Sequence, residues 1–304
     1  MQSIDGSPAG DGAGAVTVRV AAFPSAGELA LHAAAARGLF AAAGLDVRAE
    51  LIAGQRPQFA GLREGRWDVL HTAADNVLAH HGELDLIVVA GVNRGMLSLV
   101  ARGDGGLAAL RQRPIGVDSA ASGYAVVLRH VLRRADVAPE ECTFVEVGGT
   151  RERARALRDG TIAATLLTPP YDAAAVRDGA RVVLRPTDVE PRYVGATVAV
   201  RRGWAAANGD VLRRYLGALA DAGAWLRDPA SRDAATALAV ERAGAPAELA
   251  GDVLDAVLDP ASGLLPGGRL DVADLACVLD VRRREGRPVE VDAAACLDLG
   301  YLPS

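Results

Sequence analysis

Three short segments hold the residues that could do chemistry. Each is an apolar run that turns, over small polar residues, into a helix. WDVLHTAADNVLAHH (Trp67 to His81) sets His71, Thr72, Asp75 and Asn76 around its turn. PIGVDSAASGYAVVL (Pro114 to Leu128) offers Ser119, Ser122, Gly123 and Tyr124, and TIAATLLTPPYDAAA (Thr161 to Ala175) offers Thr168, Pro170 and Tyr171. A helix start leaves backbone N–H groups unpaired and carries partial positive charge, so several starts around one crevice suit an anionic or polar small molecule. These residue types favour holding a molecule over transforming it.

Residue by residue, a structural role competes with a binding role. Thr72–Ala–Ala–Asp75 has the form of a capping box, with Thr72 accepting from the helix amides and Asp75 reaching back. Alternatively Thr72, Asp75 and Asn76 face a ligand, Asn76 offering both donor and acceptor. His71 at the strand end could read a ligand's charge as a donor or titrating group. Ser119 and Ser122 lack the G-x-S-x-G elbow, and His130 lies too far along the following helix to act as their base, so ligand hydrogen bonding is expected of them. Pro170 suits a first helical position, with Thr168 and Tyr171 presenting polar tips. Arg94 is either a countercharge for a carboxylate, sulfonate or phosphate, or a surface arginine.

Several chemistries are excluded. All basic side chains are arginine, so neither a Schiff-base lysine nor a phosphate-loop lysine exists. His71, His80 and His81 have no metal-ligand spacing, and adjacent His80 and His81 point to different sides of a helix; no metal and no cofactor are expected. Cys142, Cys277 and Cys296 lack metal or redox spacing and read as buried free thiols of a reducing compartment. A net charge of −5 with scattered arginines gives no nucleic-acid footprint, and Arg282–Arg283–Arg284 reads as a solvated helix C-terminus. The longest strongly apolar stretch, Leu86 to Val92, is too short to cross a bilayer.

The elements that must position these residues alternate. From Val16 onward strand follows helix, the pattern of α/β architecture with mostly parallel strands. TVRVAAF leads through a Pro24–Ser25 turn into ELALHAAAARGLF, and Gly44 stops that helical region before LDVRAELI. MLSLVAR and YVGATVAV flank an inserted α/β block, and from Arg201 the pattern is helical. This predicts a flexible tail over 1–15, a discontinuous first lobe from 16–98 plus 196–304, and an inserted second lobe over 99–195. The two crossing strands would put the ligand site in the cleft between lobes. The opening MQSIDGSPAGDGAGAV has no signal pattern, which implies a cytoplasmic chain as written and an extracytoplasmic one if the start is truncated or misassigned.

Taken together, ARGLFAAAGLDVRAE, LREGRWDVLHTAADN, PIGVDSAASGYAVVLRHVL, LRDGTIAATLLTPPYDAA and YVGATVAVRRGWAAANGDVLRRYLGALADAGAWLRDP resemble the bacterial type II periplasmic solute-binding proteins. The branch is that of aliphatic sulfonate, nitrate, taurine and thiamine-pyrimidine-precursor binders. The resemblance implies two α/β lobes on a two-strand hinge, closing on a small, often anionic organic ligand for delivery to an ABC permease. By position, the pocket would draw on Pro24 and Ser25, Thr72 to Asn76, Ser119 to Tyr124, and Thr168 to Tyr171. A monomeric, non-catalytic binder is therefore expected. Two alternatives are a cytosolic decarboxylase or lyase on the same fold, acting on an aromatic or carboxylated metabolite with His71 and Asp75 as acid and base, and a ligand-gated regulatory partner.

Overall fold

The alternating pattern resolves into two separate sheets in the computed structural model, which describes residues 2–5, 14–52, 54–120 and 122–303. The first is built from β1 (Gln2–Asp5), β2 (Val16–Ala22), β3 (Leu45–Leu51), β4 (Val69–Ala73), β5 (Leu86–Asn93) and, far later in the chain, β11 (Ala196–Arg201). The second holds β6 (Ser98–Ala101), β7 (Pro114–Val117), β8 (Thr143–Glu146), β9 (Ala164–Leu167) and β10 (Arg181–Leu184). Their spatial orders are β1-β3-β2-β4-β11-β5 and β10-β6-β9-β7-β8. The expectation of mostly parallel strands holds for a run of three strands in each sheet. β2 runs parallel to β3 and β4, and β7 to β8 and β9, whereas β1, β6, β10 and β11 pair antiparallel. β11 reverses because it re-enters the first sheet from the second lobe and slots between β4 and β5.

Residues 2–5, expected in a flexible tail, are strand β1, paired along β3 from Gln2 opposite Leu51 to Asp5 opposite Arg48. Residues 6–13 of that tail lie outside the described residues. β5 is an edge strand, yet every residue in it is buried. The C-terminal segment covers it: Val88 N–H donates to the Cys296 carbonyl (2.8 Å), Asp298 N–H to the Val88 carbonyl (2.9 Å) and Leu265 N–H to the Val92 carbonyl (3.0 Å). Covering the edge removes a row of unpaired backbone groups.

The first lobe packs the Leu29–Ala36 and Gly209–Arg227 helices on its sheet. Tyr215 is fully buried there and stacks on Phe40, ring centroids 5.3 Å apart. Val100, Leu157, Ile162, Leu167 and Ala180 form a separate small core in the second lobe. Between the lobes the chain crosses at 93–98 and 193–196, where glycine meets glycine: a Cβ on Gly195 would lie 2.2 Å from the Gly95 Cα. No side chain fits at that crossing.

The Val272–Arg284 helix belongs to neither sheet and packs on the Ala74–Leu84 helix of the first lobe and the Gly123–Arg134 helix of the second. It opens with a capping box, in which Asp271 accepts from the Asp274 N–H (3.0 Å) and Asp274 from the Asp271 N–H (2.9 Å). Leu275, Val278 and Val281 join a core that runs unbroken from Leu70 and Leu78 in one lobe to Ile115 and Val131 in the other. Among the described residues, no helix is long and apolar enough to cross a membrane.

Candidate functional site

The openings converge at the crossing, at the C-terminal ends of the parallel strands, where open α/β sheets place ligands. Ser25 caps the Ala26–Glu28 turn by accepting from the Gly27 N–H (3.1 Å), while Pro24 stays exposed. Gly27 has no room for a side chain, since a Cβ would lie 2.7 Å from Asn93 Nδ2. Asp75 of the first lobe lies against Gly123 of the second: a Cβ on Gly123 would come within 2.7 Å of Asp75 Oδ2. Gly123 thus lets the helix starts of the two lobes approach each other.

Several assignments read from the sequence change here. Thr72 and Asp75 do not form a capping box. Ala73 is the cap residue of the Ala74–Leu84 helix and gives it no side-chain bond. Thr72 Oγ1 instead accepts from Asn76 Nδ2 (3.1 Å), and Asp75 Oδ1 accepts from Arg282 Nη1 at 2.6 Å. The first arginine of Arg282–Arg284 is therefore not a solvated helix end; it reaches the first lobe with its side chain only 12% exposed. Arg94 is half-buried rather than free, its side chain 22% exposed and its Nη1 donating to Asp274 (3.1 Å). Asp274 carries a further bond from Arg192 (3.3 Å).

His71 turns away from the cleft into the first lobe. Its Nδ1 lies 2.5 Å from Glu28 Oε2 and its Nε2 lies 2.8 Å from the Tyr215 hydroxyl. The Glu28 carboxyl and the Tyr215 hydroxyl thus occupy the two sides of the ring. Burial holds the Tyr215 phenol well above its usual range, so its proton stays on oxygen. Both ring nitrogens are engaged, and neither meets Asp75, so the imagined acid–base pair is not assembled. Glu28 and His71 line a cavity of about 50 Å³ inside the lobe, otherwise walled by residues such as Leu31, Val198 and Leu219.

In the second lobe Ser122 caps the Gly123–Arg134 helix, accepting from the Ala125 N–H (3.1 Å) and donating to Asp118 Oδ1 at 2.5 Å. The half-buried Ser119 accepts the Ser122 N–H on its backbone carbonyl (3.3 Å). Tyr124 is half-buried among charges: burial raises its phenol, Arg153 opposes the shift, and Asp118 with Glu28 of the other lobe reinforce it. Thr168 is buried, its carbonyl taking the Tyr171 N–H (2.9 Å); Pro170, after a cis Pro169–Pro170 bond, is the cap residue, so the helix begins at Tyr171. Asp172 accepts from Ser98 Oγ (2.9 Å), and burial pushes its carboxyl up. His130, as expected, serves no serine; it bonds Glu190 (2.8 Å).

Arg153 is the residue that the sequence reading missed. It is 2% exposed and donates only to neutral groups: the Gly148 carbonyl (2.7 Å), Thr150 Oγ1 (3.2 Å) and the Leu166 carbonyl (3.2 Å). No described carboxylate forms an ion pair with it. Burial lowers its pKa, while Asp118 and Tyr124 beside the helix opening pull the other way. A buried guanidinium without an ion pair is costly, and an anion reaching it would relieve that cost. Its segment, TRERARALR, reads as an ordinary solvated helix face. Glu28 did carry a signal, standing three residues after Ser25 as in a capping box. Among the described residues no group of His, Cys, Asp and Glu could hold a metal.

Comparison with known proteins agrees with this architecture. Among solved structures the chain is similar to the periplasmic aliphatic sulphonate binding protein SsuA from Escherichia coli, with TM-score 0.75 and 19% identity over 92% of this chain and 91% of that one. It is similar to the periplasmic nitrate-binding protein NrtA from Synechocystis PCC 6803, with TM-score 0.77 and 14% identity over 94% and 87%. The desulfurization enzyme DSZB is also similar, at TM-score 0.65 and 18% identity over 93% and 97%. At these identities the likeness shows the periplasmic-binding-protein fold. No curated protein sequence matches. The model of the NMT1-like family matches residues 11–240, most of the chain, and this protein belongs to the NMT1-like family.

Proposed function

We propose that this protein is a solute-binding protein that closes on a small organic anion, of the carboxylate or sulfonate class, in the cleft between its lobes. A single copy of the chain supplies both walls, and the cargo passes to an ABC-type permease. Arg153 carries the reading: a buried cation, without an ion pair among the described residues, at the strand ends beside Tyr124. Each charged hydrogen bond to such a group contributes about 1.5–3 kcal/mol. The sulphonate-binding protein that shares the fold supports this class of ligand, and the nitrate-binding one supports an anion in the cleft.

Thermal-shift and calorimetric titration with ethanesulfonate, taurine, nitrate and short carboxylates tests the proposal, with native mass spectrometry of the purified protein for a retained molecule. At least one of these anions should stabilise the protein, and Arg153→Gln should abolish the effect while leaving the fold intact. Binding undiminished in Arg153→Gln, or no anion bound by the wild type, would overturn it.

A further inference from the structure

The two edges of the cleft are built differently. On one edge the Val272–Arg284 helix is bound to both lobes. Arg282 meets Asp75 of the first lobe with both side chains nearly buried, Asp274 meets Arg94 at the crossing, and Glu285, just past the helix, is 3.3 Å from Arg133 of the second lobe. An unbroken apolar core underlies these pairs.

On the other edge the Tyr171–Arg177 helix of the second lobe faces the Ala250–Leu258 helix of the first across a crevice of about 550 Å³. Pro169, Asp172 and Arg177 line one side, and Glu248, Asp252 and Val253 the other. The two sides belong to different cores, Val253 and Leu254 to that of the first lobe and Leu167 and Ala180 to the small one of the second. The ion pair that spans the crevice is Arg177–Glu248 at 3.5 Å, with both side chains more than half exposed. Such a pair is screened and holds little, whereas opposite it Arg282–Asp75 is nearly buried on the first-lobe side and Glu285, itself buried, lies 3.7 Å from the buried His130 Nδ1 on the second-lobe side.

We infer that the cleft opens at the Arg177–Glu248 crevice, and that the C-terminal helix is a fixed crossbar holding the opposite edge shut. The lobes then part as a clam does, hinged along the crossbar, and a ligand arrives past Asp172 and Thr168. This rests on the cleft's proposed binding role only for what passes through it; the opening itself is a property of the free protein.

Pulsed electron–electron double resonance on ligand-free protein tests the opening. One nitroxide pair sits at Asp178→Cys and Ala247→Cys, exposed positions beside the crevice that leave Arg177 and Glu248 in place. The other sits at Ala79→Cys and Arg134→Cys, exposed positions across the crossbar edge. Both pairs are placed in a Cys142→Ser, Cys277→Ala background that keeps the buried Cys296. The crevice distribution should be at least about twofold broader than the crossbar one. Arg282→Gln combined with Asp274→Asn should broaden the crossbar distribution. A narrow crevice distribution, or a crossbar distribution as broad as that of the crevice, overturns the inference. Added ethanesulfonate should narrow the crevice pair alone. If it leaves both pairs unchanged, the ligand-free distributions still decide the opening edge, and the failure falls on the proposed ligand class.

Discussion

Replacing Arg282 by Met removes the charge that pairs with Asp75, together with the Nε bond to the exposed Arg287 carbonyl (3.0 Å), while keeping most of the aliphatic stem that packs around it. The pair is short, 2.6 Å between Nη1 and Oδ1, and its side chains are 12% and 6% exposed. Asp75 has no other side-chain hydrogen bond among the described residues and is pressed against Gly123. Two unit charges about 4 Å apart at an effective dielectric near 20 interact by about 4 kcal/mol. Stranding one partner of a buried pair costs about 3–5 kcal/mol. The two estimates agree, and the loss would be a large share of a typical domain stability of about 5–15 kcal/mol. Urea unfolding followed by tryptophan fluorescence should therefore show a midpoint far below wild type. Asp75→Asn with Arg282→Met should recover most of the loss, because no charge is then left unpaired. A cost below about 1 kcal/mol for Arg282→Met, the range of a solvated pair, would refute the reasoning. So would single-variant costs that simply add in the double variant.

Three further outcomes follow from buried contacts. Tyr215→Phe leaves His71 Nε2 without its partner and should cost about 1–3 kcal/mol by denaturant titration, with little change in secondary structure by circular dichroism. His32 is held down to about 4 by burial, against a usual 6.5, so the unfolded chain binds more protons between those values and stability falls as pH drops through that window. The loss should reach on the order of 3 kcal/mol, and His32→Gln should flatten that limb of the pH–stability curve. Gly195→Ala would drive a methyl group into the Gly95 backbone and should cost about 1–3 kcal/mol, whereas Gly217→Ala, which meets nothing, should be neutral or stabilising in the same melts.

The architecture was legible because its signals are local and repeated. Strand, small-polar turn and helix recur with spacings that a two-lobed α/β chain requires, and the segments quoted for the resemblance carried the fold. The site was legible only by segment. Ser122, read as a ligand-bonding hydroxyl, caps its helix, whereas Thr72 and Asp75, spaced as a capping box, find Asn76 and Arg282 instead. A capping box competes with every other partner its side chains can reach, and Arg282 lies 207 residues away in sequence. Arg94 and Asp274 are separated by 180 positions for the same reason. His71 looked available because a strand end beside a helix opening is usually exposed; the residues that close over it, Glu28 and Tyr215, come from the two ends of one lobe. Arg153 could not be singled out among 33 basic residues, since burial, not type or spacing, makes it unusual.

The place of β11 between β4 and β5 has a consequence for how the chain is made. As synthesis proceeds, residues up to 93 leave the ribosome with the flanking edges of β4 and β5 facing a gap that only residues 196–201 can fill. The second sheet, by contrast, has all its strands between 98 and 184 and can pair first. The inserted lobe thus forms while its host waits, and β5, apolar from Leu86 to Val92, lacks its β11 partner during that interval. A stalled or truncated product ending before Ala196 would expose both edges at once, which makes aggregation, and not a half-functional fragment, the natural fate of incomplete chains.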